Sequence, residues 1–276
     1  MAENLRNEIV AIDFGGTNLR AALVKKNKII KEIKRKTPKT KKEILNEIYS
    51  LIKELISKNT KGIGVASPGP LEKGILKNPP NIPFKNFDLR GAIQNKFKIK
   101  TVVENDATCV ALAEAKLGIK KKNFIILTIG TGIGGGIVIN GDFYKGNGSG
   151  GELGHLILDC GKDFETLASG KAIKKITKKE FSKELLISDL LKRKDKESKK
   201  IIEKEVEYLA QGIASLINVF DPDIIELNGG VRETGQVLLD KIRKSLLKYQ
   251  IIKKKIPLRW TKLKHPGLMG ASLLIN

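Results

Sequence analysis

Apolar residues follow two different periods along the start of this chain. Short runs of Ile, Val, Leu and Ala at residues 9–14, 19–25 and 28–35 predict a three-stranded meander. From Lys41 to Lys58 the apolar positions fall on one face of a helix, which predicts an amphipathic helix. The run Gly62–Ala66 predicts a buried strand. This order of strands and helix is typical of an α/β fold with a mixed sheet.

The rest of the chain alternates between the same two periods. Further strands are predicted at residues 99–103, 223–227 and 256–260. Further helices are predicted at residues 108–117, 166–181, 185–191, 201–220, 236–249 and 267–274. Irregular structure is predicted for residues 71–90, which contain the rigid loop Asn78–Pro83, for the flexible loop Lys145–His155, and for the charged turn 192–200.

A glycine cluster between two apolar runs occurs twice. The second copy, Asn123–Asn140, predicts strand, tight turn and strand, and it ends at the turn signal Asn140-Gly141. Residues 9–24 repeat the pattern around Gly15-Gly16. Glycines let backbone N–H groups approach an anion without a Cβ in the way, and successive N–H groups form an anion-binding concavity. The repeat predicts that the two turns are the two halves of one nucleotide-binding site. The alternative is that they are two ordinary glycine-rich hairpins.

The segment Gly130–Gly135 also satisfies the G-x-G-x-x-G pattern of dinucleotide-binding proteins. That pattern is meaningful when a helix follows the glycines, because the pyrophosphate sits on the helix N-terminus. Residues 136–141 are β-branched and end in a turn signal, so a strand is expected instead. The sequence therefore disfavours a Rossmann site, and it contains no G-x-x-x-x-G-K-[ST] motif of a P-loop.

Composition bounds the class of protein. The chain has 276 residues, of which 41% are hydrophobic and 30% charged, as in a globular protein of one large or two moderate domains. No apolar run approaches the roughly 20 residues that span a bilayer, and the first residues lack the apolar core of a signal peptide. Cys109 and Cys160 are too few for a disulfide framework. A soluble cytoplasmic protein, without a membrane partner, is expected.

The net charge is +22, and such a surface attracts polyanions. The lysines are nevertheless spread through helix-like segments such as Lys171–Lys204, and no RNA-stacking motif or zinc-finger spacing occurs. Specific nucleic-acid binding is therefore a minor alternative. The favoured explanation of the charge is a proteome rich in lysine and isoleucine, together with an anionic small-molecule substrate.

Several short motifs follow one another along the chain: Asp13–Arg20, Ala66–Pro70, Asn105–Ala107, Gly130–Gly136, Gly151–His155, and Asp221-Pro222 with Gly229–Val231. In this order, over nearly the whole length, they resemble the phosphate, sugar and adenosine motifs of the ROK family of sugar kinases. The resemblance implies an α/β fold of two actin-like (ribonuclease H-like) domains with an interdomain active-site cleft. The expected division is residues 1–107 plus 263–276 for the small domain and 108–262 for the larger one.

The chain departs from the family pattern in two places. Many repressor members carry an N-terminal helix-turn-helix, whereas the first strand here begins within ten residues of Met1, so no such domain is expected. The family usually has a zinc-binding cysteine cluster after the histidine, but Asp159–Glu165 contains one cysteine. A structural zinc needs four ligands, and His155 and Cys160 supply two at most. We therefore expect no bound zinc.

The resemblance implies ATP-dependent phosphorylation of a hexose at O6, with glucose favoured and with Mg²⁺ accompanying ATP. Asp106 would be the general base, because a carboxylate about 3 Å from the hydroxyl can take its proton. Capping of the next helix is the alternative role. Asp13 would face Mg²⁺ through water, or else be a plain turn residue. The other implied sugar ligands are Gly69, Asn78, Asn105, Glu152, His155 and Glu165. The implied nucleotide ligands are Asp13, Gly15, Gly16, Thr17, Asn18, Gly130, Thr131, Gly132, Gly229 and Gly230.

Other readings stay open. A non-catalytic sugar sensor of the same fold is the main alternative to a kinase. The sequence does not rank glucose against mannose, fructose or an N-acetylated hexosamine. A homo-oligomer, either dimer or tetramer, is expected from the family. His265 is expected to be structural, because it lies beside Pro266 at the start of the last helix.

Overall fold

The computed structural model describes residues 7–79, 82–144, 146, 150–251 and 255–275. Two predicted loops lie partly outside these residues. In the loop Asn78–Pro83 these are residues 80–81, and in the loop Lys145–His155 they are residues 145 and 147–149. The chain divides into two compact units. The first consists of Met1–Ile119, Lys145–Gly150 and Leu263–Asn276, and the second of Lys120–Tyr144 and Gly151–Lys262.

The strands are β1 (Glu8–Phe14), β2 (Asn18–Lys25), β3 (Lys28–Lys36), β4 (Thr60–Ser67), β5 (Leu71–Glu72), β6 (Ile75–Leu76), β7 (Phe87–Asp88), β8 (Thr101–Asn105), β9 (Phe124–Ile129), β10 (Ile133–Ile139), β11 (Asp142–Phe143), β12 (Ile157–Asp159), β13 (Lys162–Asp163), β14 (Ile224–Asn228) and β15 (Leu258–Trp260). The helices are α1 (Lys41–Leu55), α2 (Leu89–Phe97), α3 (Asp106–Ala113), α4 (Phe164–Ala168), α5 (Gly170–Phe181), α6 (Ile187–Leu190), α7 (Lys196–Phe220), α8 (Gly235–Leu246) and α9 (Pro266–Leu273). The predicted domain boundary after Ala107 falls within α3.

The first unit is built on a five-stranded sheet with the order β3-β2-β1-β4-β8. The β1–β2–β3 meander is antiparallel, and β1, β4 and β8 run parallel. Helix α1 buries Ile44, Ile48 and Leu51 in the core on one side. Helices α3 and α9 pack on each other and on the sheet, and a Cβ at Gly64 would lie 1.8 Å from the Ala271 carbonyl oxygen. Only glycine allows α9 to approach β4 this closely.

The second unit is built on a five-stranded sheet with the order β11-β10-β9-β14-β15. Strands β9, β10 and β11 are antiparallel, while β9, β14 and β15 run parallel. Long helix α7 supplies much of the core through residues such as Leu209 and Ile213, both fully buried. Each sheet thus consists of a three-stranded antiparallel meander, and the first strand of the meander pairs with a set of parallel strands. The two sheets have the same strand order. The predicted α/β class is confirmed, and the repeat seen in the sequence extends to the sheet topology.

Several predicted elements differ from the structure: helix caps explain three of the differences, and the short strands β5–β7 within residues 71–90 are a fourth. Residues 71–90 were expected to be irregular, but Asp88 accepts the Gly91 N–H at 2.7 Å and begins α2. The helix predicted at 166–181 is split because Ser169 caps a new helix, α5, by accepting the Ala172 N–H at 3.2 Å. Within the predicted charged turn 192–200, Asp195 accepts the Ser198 N–H at 2.8 Å, and α7 begins at Lys196.

Candidate functional site

The carboxyl ends of three parallel strands gather acidic and polar residues in the first unit. In the parallel registers, Asp13 pairs with Ala66, and Ser67 pairs with Asn105. Neighbouring parallel strands end at the same edge of a sheet, and ligands of open α/β sheets bind at that edge. The structure therefore brings together Asp13 near the end of β1, the residues after β4 and Asp106 after β8.

The predicted sugar residues Gly69 and Asn78 follow this edge. Gly69 lies two residues beyond β4. The Lys77 N–H donates to the Pro70 carbonyl at 3.1 Å, which holds the backbone next to Asn78 close to the backbone next to Gly69. The Asn78 side chain is exposed. The two residues therefore belong to one short segment after β4.

Asn105 and Asp106 divide the tasks at the start of α3. The Asn105 Oδ1 accepts the Thr108 N–H at 3.1 Å, which is the helix cap. The Asp106 Oδ1 accepts the N–H of the next residue, Ala107, at 2.8 Å, and the Asp106 side chain is partly exposed. Capping is thus performed by Asn105. Asp106 lies in the first helical turn, where a negative charge is stabilised by the helix dipole.

The first glycine turn joins β1 to β2. Its ends are held by hydrogen bonds: the Gly15 N–H donates to the Asn18 carbonyl at 3.0 Å, and the Thr37 hydroxyl donates to the Gly15 carbonyl at 2.6 Å. The Thr37 N–H also donates to the Thr17 carbonyl at 3.0 Å. Gly16 and Thr17 remain exposed. Thr37 was missed by the sequence analysis, since a threonine just after a strand carries no distinctive signal.

Asp13 ends β1 beside the start of α9. Burial raises the pKa of Asp13 to about 6, the positive charge of Arg20 opposes this rise, and the negative charge of Glu32 adds to it. A Cβ at Gly267 would lie 2.8 Å from the Asp13 Oδ2. The raised pKa marks a carboxylate whose charge is poorly compensated, so a hydrated cation would suit it. The described residues include no group of three or more His, Cys, Asp or Glu side chains placed to hold a metal. The contact of Asp13 with a cation that takes most of its ligands from water and phosphate stays a prediction.

The second glycine turn joins β9 to β10 and is fixed by the start of α5. The Gly170 N–H donates to the Gly130 carbonyl at 2.8 Å, and the Lys171 N–H donates to the Thr131 carbonyl at 3.1 Å. The Ile133 N–H donates to the Glu165 Oε2 at 2.7 Å. A Cβ at Gly132 would lie 2.2 Å from that same carboxylate oxygen. Glu165, predicted as a sugar ligand, is therefore also an anchor of this turn.

Gly229 and Gly230 lie at the same edge of the second sheet. Strand β14 runs parallel to β9, and Asn228 pairs with Thr128. Gly229 has a φ of +94°, and a Cβ there would lie 2.3 Å from the Ile129 carbonyl oxygen. The predicted nucleotide residues of the second unit are thus gathered by two adjacent strand ends. A strand, β10, follows the glycines, so the structure also excludes the Rossmann alternative.

Glu152, His155 and Glu165 lie close together in the second unit. The short helical turn Leu153–His155 packs on β10, where a Cβ at Gly154 would lie 2.1 Å from the Ile133 carbonyl oxygen. The His155 Nδ1 lies 2.9 Å from the Asp163 Oδ2, and this hydrogen bond raises the pKa of His155. Burial opposes the rise, and the charges of Asp163, Glu165 and Glu152 add to it.

Asp163 is a second residue that the sequence analysis missed. Its Oδ1 accepts the Thr166 N–H at 2.8 Å and caps α4, while its Oδ2 holds the His155 ring. The signal available in the sequence was the spacing of a cap, an aspartate three residues before Thr166. Asp163 therefore orients His155 rather than simply beginning a helix.

The ROK family matches residues 9–276 of the chain. This chain belongs to the ROK family. A glucokinase from Halalkalibacterium halodurans is 30% identical over 284 residues, covering 88% of this chain and 86% of the relative. A xylose repressor from Bacillus spizizenii is 33% identical over 197 residues, covering 66% of this chain and 51% of the repressor.

A solved ROK structure is closely similar over nearly the whole chain. It is a ROK family glucokinase from Streptomyces griseus in complex with glucose and AMPPNP, with a TM-score of 0.86 and 25% identity, covering 97% of this chain and 98% of that one. The likeness confirms the predicted pair of actin-like (ribonuclease H-like) α/β domains. It also makes this chain a relative of ROK kinases that bind a sugar and a nucleotide.

The segment Asp159–Glu165, where the resemblance implies a zinc-binding cysteine cluster in other family members, contains a tight hairpin here. Strands β12 and β13 are joined by Cys160 and Gly161, with φ angles of +41° and +81°. Two left-handed residues are typical of the two-residue turns that join antiparallel strands. Cys160 is exposed in this turn. The absence of zinc stays a prediction, to be checked by elemental analysis of the purified protein.

Among the residues that the structure describes, none forms a helix that is both long and apolar enough to cross a bilayer.

Proposed function

We propose that this ROK protein transfers the γ-phosphoryl group of ATP to the O6 hydroxyl of a hexose, with glucose as the favoured substrate. The observation that carries the proposal is the position of Asp106. It lies at the carboxyl edge of the sheet, in the first turn of α3, while Asn105 performs the capping. The glucokinase relatives, one of them bound to glucose and AMPPNP, support the choice of donor and sugar.

Asp106 would act as the general base. Its carboxylate accepts the proton of the sugar 6-hydroxyl as that oxygen forms its bond to the γ-phosphorus. The bond between the γ-phosphorus and the bridging oxygen breaks, and ADP leaves with that oxygen. The proton later passes from Asp106 to solvent, which returns the carboxylate to its charged form.

The two glycine turns would hold the nucleotide. The proposed phosphate site consists of Gly15, Gly16, Thr17, Asn18, Gly130, Thr131 and Gly132. The Gly15 and Gly130 N–H groups already donate within their own turns, so the phosphate donors would be the other N–H groups and the hydroxyls. Gly229 and Gly230 are proposed to contact the adenosine. Asp13 would hold Mg²⁺ through water, and the ion would neutralise phosphate charge during transfer. The turns suit this task because hydrogen bonds from Thr37, Gly170 and Lys171 fix their carbonyls.

Each unit offers its own proposed contacts to the sugar hydroxyls. Glu152, His155 and Glu165 lie together in the second unit, and the Asp163 carboxylate fixes the His155 ring. Gly69, Asn78 and Asn105 follow the strand ends of the first unit. The Asn105 Oδ1 already accepts the Thr108 N–H, so its amide nitrogen is the group proposed to meet a hydroxyl.

The test is an assay of ADP formation with ATP, Mg²⁺ and a panel of glucose, mannose, fructose and N-acetylated hexosamines. Phosphorylation of glucose at O6, shown by NMR of the product, is the expected result. A preference for another hexose would correct the substrate and keep the reaction class.

A non-catalytic sugar sensor is the second candidate, and the xylose repressor relative favours it. Calorimetry separates the two functions. A protein that binds a sugar with micromolar affinity but forms no ADP with any sugar of the panel would be a sensor. Sedimentation in the same experiments would test the expected dimer or tetramer.

A further inference from the structure

Three side chains from separate parts of the first unit form a closed ring next to Asp13. Arg20 lies on β2, Glu32 on β3, and His265 immediately before α9. The Arg20 Nη1 lies 3.1 Å from the Glu32 Oε1 and 3.4 Å from the His265 Nδ1. The His265 Nε2 lies 3.2 Å from the Glu32 Oε2. The guanidinium is therefore held by both of its neighbours.

The contacts fix the tautomer of His265. A guanidinium has only donors, so the His265 Nδ1 that faces it must accept a hydrogen bond. The proton then resides on Nε2, which donates to Glu32. A doubly protonated ring would set an N–H group against the donors of Arg20. His265 thus bridges Arg20 and Glu32, and it has a definite partner on each side.

Arg20 stands directly opposite Asp13. The two residues pair in the antiparallel register of β1 and β2, where opposite Cβ atoms lie about 4.5–5.5 Å apart. In the part of the chain that the structure describes, however, no hydrogen bond or ion pair joins Arg20 to Asp13. The positive charge is close enough to oppose the rise in the pKa of Asp13 that burial causes. The guanidinium therefore acts on Asp13 through its charge and forms no hydrogen bond with the carboxylate oxygens.

We propose that Glu32 and His265 hold Arg20 away from Asp13, which makes Arg20 a positioning residue that keeps the Asp13 carboxylate available to the hydrated cation of Mg·ATP. This inference rests on the proposed function. An unrestrained arginine pairs readily with a carboxylate, often through two parallel hydrogen bonds. Such a pair would cover the oxygens that the cation needs. The ring thus prevents an ion pair within the protein.

The decisive variant is Glu32→Gln, which keeps the shape of the side chain and removes the charge that holds Arg20. We expect the Mg²⁺ concentration for half-maximal rate to rise about tenfold at pH 8, because coupled neighbours interact by this order of magnitude. The kcat at saturating Mg²⁺ should change much less. ATP binding followed by calorimetry should weaken in the presence of Mg²⁺ and stay unchanged in EDTA.

Rescue separates positioning from a loss of structure. Arg20→Met removes the group that would cover Asp13, so the double variant Arg20→Met/Glu32→Gln should need no more than about twofold as much Mg²⁺ as Arg20→Met alone.

His265→Asn opens the ring from the other side. Asparagine tolerates the left-handed φ of +57° found there, and the Mg²⁺ requirement should rise in the same direction by about threefold.

The chain offers a matched control in the Arg35–Glu47 pair. The Arg35 Nη1 lies 2.5 Å from the Glu47 Oε1, and the side chains are 33% and 25% exposed, against 32% and 25% for Arg20 and Glu32. Glu47→Gln should leave the Mg²⁺ requirement unchanged. A normal requirement in Glu32→Gln, or a double variant no better than Glu32→Gln, would overturn the inference.

The same measurements distinguish this inference from the proposed function. Wild-type protein that binds ATP in a Mg²⁺-dependent way but phosphorylates no sugar would contradict the proposed function alone, and the Mg²⁺ dependence of ATP binding in the variants would still decide the inference. ATP binding by wild-type protein that is indifferent to Mg²⁺ would overturn the inference itself.

Discussion

The two sheets share one strand order but provide their glycine turns with acidic groups in different ways. In the first unit Asp13, two residues before Gly15, lies on the strand itself. The equivalent position before Gly130 is Thr128, whose hydroxyl oxygen is buried without a hydrogen-bond partner among the described residues. The carboxylate at the second turn is Glu165, which comes from α4 and accepts the Ile133 N–H. A repeated backbone has thus been given two different sets of side chains.

This difference matches a division of labour. In the first unit the carboxylates at the strand ends, Asp13 and Asp106, are partly exposed. In the second unit the Glu165 carboxylate is tied to the backbone of the turn, and Asp163 is tied to His155. We infer that the first unit supplies the groups that meet the reacting atoms, while the second mainly positions ligands. Variants that remove a charge should therefore affect catalysis more in the first unit.

Asp106→Asn tests this division with the largest expected effect. The amide keeps an oxygen for the Ala107 N–H, and Asn105 still caps α3, so the fold should survive. It loses the proton acceptor, and kcat should fall by roughly 10²–10⁴, the usual contribution of a positioned base. Steady-state kinetics and hexose calorimetry are the measurements, and sugar affinity should change less than kcat.

The adjacent position is the control for Asp106. Asn105→Asp combined with Asp106→Asn restores a carboxylate one residue away, where it points into the cap, so activity should not return. A folded Asp106→Asn variant with near-normal kcat would leave Asp106 without a catalytic role. Unchanged turnover at saturation together with lost sugar binding would make it a sugar ligand only.

Glu205 in the second unit should give the next largest effect, on stability. It lies on the buried face of α7 and is 4% exposed, and burial raises its pKa from 4.5 to about 8. The folded protein therefore holds this proton more tightly than the unfolded chain does. Stability should be greatest below about pH 4.5 as far as this group is concerned and should decrease as the pH rises to 8.

Glu205→Gln tests that pH dependence. The neutral amide removes the titration, so the variant should be more stable than the wild type at pH 8, by an amount on the order of 3 kcal/mol. At pH 5 the two proteins should differ by less than about 1 kcal/mol, because the wild-type group is protonated in the fold and the unfolded group has only begun to gain from ionising. Thermal unfolding at the two pH values is the measurement. An equal difference between the proteins at both values would show that Glu205 does not titrate in this range.

Much of this molecule could be predicted from the sequence because its signals are local. The meander, α1, the central hairpin and α7 all follow from the spacing of apolar residues, and the glycine clusters mark both turns. The family motifs then identified the candidate residues, since Asp13, Asp106, Gly130 and His155 lie within them. Binary patterning therefore predicted the sheets and their repeat well.

What could not be predicted depends on contacts between distant parts of the chain. Thr37 fixes Gly15 from the end of another strand, and Glu165 reaches the second turn from α4. His265 was expected to be structural, and it contacts Arg20, which lies 245 positions away in the sequence. No spacing rule relates such residues, because their proximity is created by the sheet register and by the packing of α9.

Two glycines of the second unit test ATP contact and folding separately. The larger effect expected is a loss of about tenfold in ATP affinity. A Cβ at Gly130 would meet no atom within 4 Å, so Gly130→Val should fold normally. It would fill the space where a phosphate oxygen is proposed to lie, and ATP affinity should fall by roughly tenfold, as for other overpacked sites. Gly229→Ala should instead lower the melting temperature, because its Cβ would strike the Ile129 carbonyl. Normal ATP binding by folded Gly130→Val would remove this turn from the nucleotide site.

The smallest expected effect comes from the anchor of the first turn. Thr37→Val keeps the shape of the side chain but removes the hydroxyl that donates to the Gly15 carbonyl at 2.6 Å. One hydrogen bond of this kind contributes about 1 kcal/mol, so the KM for ATP should rise about fivefold while kcat changes little. Thr37→Ser keeps the hydroxyl and should behave as the wild type. The matching variant in the second unit is Glu165→Gln. It keeps an oxygen that can accept the Ile133 N–H but removes the negative charge beside His155, so we expect it to change sugar affinity rather than the KM for ATP. A change in the KM for ATP in Glu165→Gln as large as in Thr37→Val would show that both turns depend on their anchors alike, and the contrast between the units would fail.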